Sequence, residues 1–436
     1  VDPEIAEDEP PASGGPPVGE VIRDPAVFAL LAVVFLYMTG TFAQETVIGW
    51  QIQQISGRPL DLGLAGLAEF LPAVLLVIVT GWVADRFDRR LITGISIVGE
   101  LVCTAVLAWY ATTSPTAVGP IFLMVLSFGI ARAFAAPAER SLKPLVAPPG
   151  ALPRVVALHS STFTIALVVG PIIAGLLIQI SIAVAYVGCM ALTFGGLVAL
   201  FFVRYRTQPT PIRESPTMHA ALEGLRLIRR APILLGAISL DLMAVLFGGA
   251  VVLLPAVAAH LLHVGSAEFG LLRAAGGVGA GVVAVGLSVR PLSRHVGHRL
   301  FTAVAMFGVF TIVLGVSHRL WLSILAVALL QGADMISVFI RATLVPLVTP
   351  DALRGRVTAV ENVFIGASNQ LGAFESGVVA QWLGLTPAIV VGGVGTLVVA
   401  GVWAVLFPSL RKVDRFEDVE PIALDAVPPQ SQVTTP

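Results

Sequence analysis

The chain has 436 residues, of which 56% are hydrophobic and only 12% charged, about half the ~25% charged share of an average soluble domain. A chain this apolar cannot be mostly exposed to water, and its length suits one large helical bundle in a membrane. A formal net charge of −1 leaves no global basic field, which excludes nucleic acid as a partner.

In chain order, residues 1–23 form an acidic, Pro/Gly-rich leader expected to be disordered and cytoplasmic. The first apolar run, from Val27 to about Ile48, is followed by no small-residue cleavage pattern. It reads as a retained spanning helix and not as a signal peptide. A span needs about 20 mostly apolar residues. Twelve stretches qualify: 27–49, 60–84, 91–112, 118–138, 153–178 and 181–203, then 233–261, 268–289, 300–317, 320–343, 357–383 and 386–407. They predict an all-α integral membrane protein with a six-helix half over 24–203 and a second over 232–410. A linker covers 204–231, and a polar, Pro-rich tail over 411–436 is expected to be disordered and cytoplasmic. Within the linker, Leu222, Leu225 and Ile228 recur at helical spacing beside Arg226, Arg229 and Arg230. That pattern predicts a short amphipathic helix on an anionic membrane face, with a partner-binding helix as the alternative.

The two cysteines, Cys103 and Cys189, each sit in an apolar run without metal-ligand spacing and read as small buried hydrophobes. The basic residues set the orientation. Arg86, Arg89 and Arg90 lie between helices 2 and 3, Arg140, Lys143 and Arg154 around helices 4 and 5, and six arginines in the linker. Arg290, Arg294 and Arg299, then Arg354 and Arg356, continue the series on the same side. The opposite loops hold only Arg58, Arg319 and, if it lies in a loop, Arg273. Both termini are therefore expected in the cytoplasm.

An internal repeat supports two halves. A shift of 202 residues lays Pro144-Leu-Val-x-Pro148 on Pro346-Leu-Val-x-Pro350, and Arg154-Val-x-Ala157 on Arg356-Val-x-Ala359. Gly170 and Gly175 fall on Gly372 and Gly377. The matched segments run in the same direction, so the repeats are parallel, an arrangement that places a substrate site between the halves near the midplane. In helix 5, Gly170, Pro171 and Gly175 put small residues and a bend on one element, either for tight packing or for compliance at a moving interface.

Gly81-x3-Asp85-Arg86-x2-Arg89-Arg90 resembles the helix 2–3 loop signature of the major facilitator superfamily, and the resemblance extends over nearly all of residues 24–410. Asp88 stands where the broad superfamily has Gly. The Asp-Arg-Phe-Asp-Arg-Arg form resembles a bacterial exporter branch that includes enterobactin exporters and macrolide efflux proteins. Gly129-x2-Arg132-Ala-Phe-x2-Pro137-Ala138 and Leu353-Arg-Gly-Arg356-Val are similar to the same branch, and Ala166-x3-Gly170-Pro171-x2-Ala174-Gly175 resembles the helix 5 motif of antiporters. The resemblance implies the major facilitator fold. It also implies that Asp85 approaches the start of helix 11 near Arg356. Gly81, Asp85, Arg86, Asp88, Arg89, Arg90 and Arg356 would then form a gating latch, a carboxylate at a helix N-terminus being favoured by the dipole. The alternative is that these arginines only set topology.

Ionisable residues inside a membrane are costly and default to functional candidates. The set comprises Glu45, Glu69, Glu100, Asp241, Asp334 and Glu375, with Arg132 and Arg341 as basic counterparts. The 202-residue shift lays Arg132 on Asp334 and Glu139 on Arg341, so pairing across the pseudo-symmetric interface would satisfy them. The other reading is proton coupling, in the order Asp241, Glu45, Glu375, Glu69. The resemblance implies that helices 1 and 7 line the cavity, and Glu100 ranks last because it could face lipid-side packing. His159, His260 and His263 read as packed or interfacial. Gln44, Gln51, Gln54, Asn369 and Gln370 could bind a polar substrate or cross-link helices.

No nucleotide-binding Gly-x4-Gly-Lys-Ser/Thr and no Cys/His ligand cluster is present. The chain therefore reads as no enzyme, with no cofactor and no metal. The expectation is a monomeric, multi-pass protein of the bacterial cytoplasmic (inner) membrane. It would be a proton-coupled exporter of a small amphiphilic or siderophore-like compound or drug, with a small molecule, protons and the lipid bilayer as partners. An uptake permease or lysophospholipid flippase on the same scaffold is the alternative, and a non-transporting receptor is a further one.

Overall fold

The computed structural model describes residues 16–206 and 218–422, without the side chains of 78, 84, 85, 140, 141 and 218–221. The described chain is helical, with no strand among the described residues. After α1 (Val18–Arg23), the first half comprises α2 (Pro25–Ser56), α3 (Pro59–Leu75), α4 (Val77–Arg86), α5 (Arg89–Thr112), α6 (Gly119–Val146), α7 (Leu152–Ile180) and α8 (Ile182–Phe202). The linker helix is α9 (Met218–Arg230). The second half comprises α10 (Pro232–Phe247), α11 (Leu254–Ala256), α12 (Ser266–Val289), α13 (Val296–Val316), α14 (Leu320–Val348), α15 (Arg354–Leu383) and α16 (Leu385–Leu406), and a short α17 (Pro408–Arg411) follows.

Among the described residues, ten helical stretches are long and apolar enough to span a bilayer. Two of the twelve expected spans differ. The second is divided into α3 and α4 at Leu76 (φ −98°, ψ 2°), whose N–H still donates to the Pro72 carbonyl at 2.9 Å. The eleventh, α15, has 30 residues but carries Arg354, Arg356, Glu361, Asn369, Gln370 and Glu375. The expected seventh span also breaks. A 3-10 turn over Gly249–Leu253 and a π turn over Val257–Leu262 interrupt it. At that break Gly249 packs against the Gly372 carbonyl, a closeness that a Cβ would not permit.

The fold is inside-out, as a bilayer requires. On α5, Leu91, Ile95, Val98, Val102 and Trp109 are exposed, at successive intervals of four, three, four and seven residues. Thr93, Ser96, Glu100 and Thr104 recur at the same helical spacing on the buried face. The apolar stripe meets lipid and the polar one faces protein, the reverse of a surface helix in water.

Within the first half α2 packs on α7 and α8. Within the second α12 packs on α14, and α13 on α14 and α16. The halves meet where α7 crosses α12 and α3 crosses α15, which are equivalent contacts under the 202-residue repeat. These contacts lie toward the end away from Arg86, Arg89, Arg90, Arg354 and Arg356. There, one continuous core joins residues of both halves, including Trp50, Ile178, Phe269, Leu272 and Ala380. At the basic end each half keeps a core of its own.

The leader and tail fall partly outside the described residues, but the described parts are folded, against the expectation of disorder. Val21 of α1 is buried, and Arg154 donates to the Pro16 carbonyl. In the tail, Val296 N–H donates to the Asp414 carbonyl (3.1 Å), the Phe416 ring meets Phe339 edge-on, and Ile422 N–H reaches the Val348 carbonyl at 3.0 Å. The linker helix corrects a second expectation. Its Leu227 and Ile228 are buried in the core of the second half, Gly224 packs on the Arg356 carbonyl, and Leu222 is left exposed. Its buried face therefore seats on α10 and α15 and not on the membrane alone.

Candidate functional site

A cavity of about 720 Å³ lies between the halves near mid-membrane. From the first half Gln44, Glu45, Glu69, Glu100 and Arg132 line it, and from the second half Arg273, Gln331, Asp334, Asn369 and Gln370 do so. Phe42, Phe70, Phe128, Phe163 and Phe307 supply aromatic walls.

Its charged groups form a chain across three helices of the first half, α2, α3 and α6, and into α12 of the second. Both Arg132 Nη1 and Nη2 donate to Glu45 Oε1 at 3.0 Å, and Arg132 also pairs with Glu69. The second Glu45 oxygen accepts from Arg273 Nη2 at 3.1 Å, which joins α2 to α12 across the interface. Glu100 forms no ion pair among the described residues; it accepts a 2.5 Å hydrogen bond from the Tyr37 phenol. Beside it Thr104 Oγ1 donates to Gln44 Oε1 at 3.1 Å.

A separate buried pair joins Arg341 Nη2 to Asp241 Oδ1 at 2.6 Å, with side chains only 5% and 8% exposed. It adjoins a small pocket shared with Ala333, Asp334 and Phe307. Arg132 thus pairs with Glu45 and Glu69, and Arg341 with Asp241, each inside its own half, where pairing of Arg132 with Asp334 and of Glu139 with Arg341 across the interface was expected; the pair that does cross it is Glu45 with Arg273. A pseudo-twofold axis relates equivalent positions but brings them together only close to the axis. Of the proton-coupling candidates, Glu45 and Glu69 line the cavity. Asp241 lies behind it, and Glu375, near the far end of α15, is not among its lining residues. Glu100, ranked last on the expectation of lipid-side packing, is 2% exposed and lines the cavity. Its shared face with Thr93, Ser96 and Thr104 was the available sequence signal. Arg273 counts in the sequence only as a possible loop charge, although it falls inside the expected span 268–289; it sits two turns inside α12.

The charged loop is built from helix-end chemistry. Asp88 caps α5, its Oδ1 accepting from Arg90 N–H (2.7 Å) and Leu91 N–H (3.2 Å). Arg90 reaches the end of α8, donating to the Phe201 and Val203 carbonyls at 2.6 and 3.2 Å, where a cation is favoured by the dipole. Tyr205 accepts from Arg90 N–H and donates to Asp88. Burial, with the Asp88 carboxylate beside it, pushes the Tyr205 phenol up to about 12, so it stays a neutral donor. Arg86 stacks 4.3 Å above the Trp82 ring, and Arg89 is buried. Gly81 and Asp85 lie in the last two turns of α4, and the Asp85 side chain lies outside the described residues. Arg356 pairs with Glu223 of α9. In helix 5, Gly170 packs against Thr39 and Phe42 of its own half, whereas Pro171 and Gly175 meet Gly270 of the other. Ser266 Oγ donates to the Gly175 carbonyl at 3.0 Å.

An all-helical membrane bundle, two repeats and a polar cavity between them define a multi-pass membrane transporter. The chain belongs to the transmembrane secretion effector family of the major facilitator superfamily, whose model matches residues 23–433. Members of this family are transporters, and the chain is not an enzyme. It is 27% identical over 413 residues to the multidrug efflux pump Tap of Mycolicibacterium fortuitum, covering 88% of this chain and 97% of that one. It is 25% identical over 415 residues to the enterobactin exporter EntS of Citrobacter koseri, covering 91% and 95%. Among solved structures, a bacterial homologue of the human lysosomal transporter Spinster, inward-facing and unoccupied, superposes with a TM-score of 0.67 at 14% identity, over 89% of this chain and 97% of that one.

Proposed function

We propose that this protein is a proton-coupled exporter of a small amphiphilic compound, such as a drug or a siderophore-like molecule, in the bacterial inner membrane. The observation that carries the reading is the ion-lined cavity between the halves, shut at one end by the shared core around Trp50 and Phe269. Excess arginine at the other end argues that this end faces the cytoplasm, with both termini there and twelve spans in all. The structure then corresponds to a state loaded from inside. Similarity to a multidrug efflux pump and to enterobactin exporters over most of the chain supports outward transport.

Glu45, Glu69 and Glu100 are the residues on which a proton can compete with substrate, because each faces the cavity with a cation or a phenol as its partner. The proposed latch places Asp85, Arg86 and the α15 start around Arg356 in contact when the cytoplasmic end closes. In the present state Arg356 holds Glu223 instead. The protein acts as a monomer, since the cavity is complete within one chain.

The test is proton movement in everted membrane vesicles energised to an acid interior. Addition of a transported drug or siderophore discharges the gradient, and cells lacking the protein accumulate that compound. Vesicles that stay silent to every compound accumulated by such cells would refute proton coupling. The absence of any accumulated compound would refute export itself.

A further inference from the structure

The cavity is lined by four carboxylates, Glu45, Glu69, Glu100 and Asp334, and by two guanidinium groups, Arg132 and Arg273. Glu45 and Glu69 are matched by the two arginines. Glu100 is held by the Tyr37 phenol. Asp334 has no hydrogen bond and no ion pair among the described residues. The nearby cation, Arg341, is already bound to Asp241 at 2.6 Å. Asp334 also has a distinct location. Together with Phe307 it lines both the main cavity and the small pocket behind it. A second unsatisfied polar group lines the same cavity from α2 of the other half: Thr41 Oγ1, on a residue 4% exposed, has no partner.

A carboxylate with no counter-charge inside a membrane protein is costly, and it recovers that cost by meeting a cation. The surrounding rings offer the other half of the recognition, because aromatic faces attract cations. An anionic ligand, by contrast, would have to displace Glu45 and Glu69 from their arginines while approaching two further carboxylates.

We propose that Asp334 is the counter-ion for the cationic group of the substrate, and that the cavity takes cationic amphiphiles with an aromatic or apolar body and excludes anionic ones. The inference rests on the transport reading above and narrows its substrate class away from acidic siderophores. The cation sits between Asp334 and the Phe307 ring, and the apolar body lies along the phenylalanine walls.

Tetraphenylphosphonium and tetraphenylborate have the same shape and opposite charge, so equilibrium dialysis of both against the purified full chain isolates the sign of the charge. The wild type is expected to bind the phosphonium at least ten-fold more tightly than the borate. Asp334→Asn is expected to lose ten-fold or more of the phosphonium affinity and to gain borate affinity, while Asp334→Glu keeps the wild-type preference. Gel filtration and the melting temperature establish that each variant is folded. Should Asp334→Asn fail to fold, the wild-type charge preference together with Asp334→Glu decides the matter. Equal or tighter borate binding, no binding of either ion, or unchanged phosphonium binding in Asp334→Asn would overturn the proposal. Phosphonium binding without phosphonium-evoked proton movement in vesicles supports the cation site and counts against the exporter reading alone.

Discussion

Arg273 of α12 crosses the interface to Glu45 of α2, with Nη2 3.1 Å from Oε2, while the other oxygen of the same carboxylate holds Arg132. Glu45 therefore ties the halves together from inside the cavity, and any rotation of one half against the other must stretch this contact. The pair keeps 23% and 29% of its side-chain surface exposed, so its energy lies below the ~3–5 kcal/mol lost when a fully buried pair is broken. Glu45→Gln and Arg273→Gln should each lower the melting temperature modestly and slow export. In a double-mutant cycle the combined variant should lose less than the sum. Strict additivity in both melting temperature and efflux would show that the contact carries no coupling.

The Asp241–Arg341 pair is a different case, because both side chains are almost wholly buried. Removing one partner strands a charge and is expected to cost ~3–5 kcal/mol, whereas replacing both with neutral residues costs less. Asp241→Asn should therefore impair folding more than Asp241→Asn combined with Arg341→Met, as read by thermal unfolding of the purified protein. A stable Asp241→Asn variant that loses only proton-driven transport would reverse this assignment and make Asp241 a coupling site.

Much of this was legible in the chain. Apolar runs, the arginine bias and the 202-residue repeat carry the architecture, since a bilayer permits few solutions once backbone polar groups must be satisfied internally. The site was less legible. Glu45, Glu69 and Arg132 stand out as charges in apolar runs, but their pairing depends on how α2, α3 and α6 rotate about their axes, which no run of hydropathy reveals. Glu100 could have been placed by the spacing of Thr93, Ser96 and Thr104. Arg273 lies inside the expected span 268–289, but its reach to Glu45 depends on how α12 packs against α2, which the sequence does not display. The departure at Asp88 reads in sequence as a mark of the exporter branch. The fold adds a mechanical reason for it, in the cap of α5 and the bond from Tyr205.

That reason makes Asp88→Ala informative. An unsupported helix start costs ~0.5–2 kcal/mol, and here Tyr205 loses its acceptor as well. Asp88→Asn, which can still cap, should stay near the wild type, and Asp88→Gly should fall between the two. Hydrogen exchange of the first turn of α5 is the local readout. Equal protection in Asp88→Ala and Asp88→Asn would mean that the cap contributes nothing there.

Gly175 tests whether the closed end is held by backbone proximity. A Cβ at this position would meet the Ser266 carbonyl and the Gly270 backbone, neither of which can turn aside as a side chain could. Gly175→Val must therefore part α7 from α12, and the bond from Ser266 Oγ to the Gly175 carbonyl is lost with it. Overpacking of this kind costs ~1–3 kcal/mol. Here the cost falls on the state in which the two helices touch, so the population should shift toward opening at this end. Spin labels at the exposed Thr116 and His318, one on each half at the same end, should then report a longer distance distribution in Gly175→Val than in the wild type. Gly170→Val makes a useful contrast, because Gly170 packs against Thr39 and Phe42 within its own half; it should destabilise the protein without lengthening that distance. If the two variants gave the same distribution, close backbone approach at Gly175 would not be what closes this end.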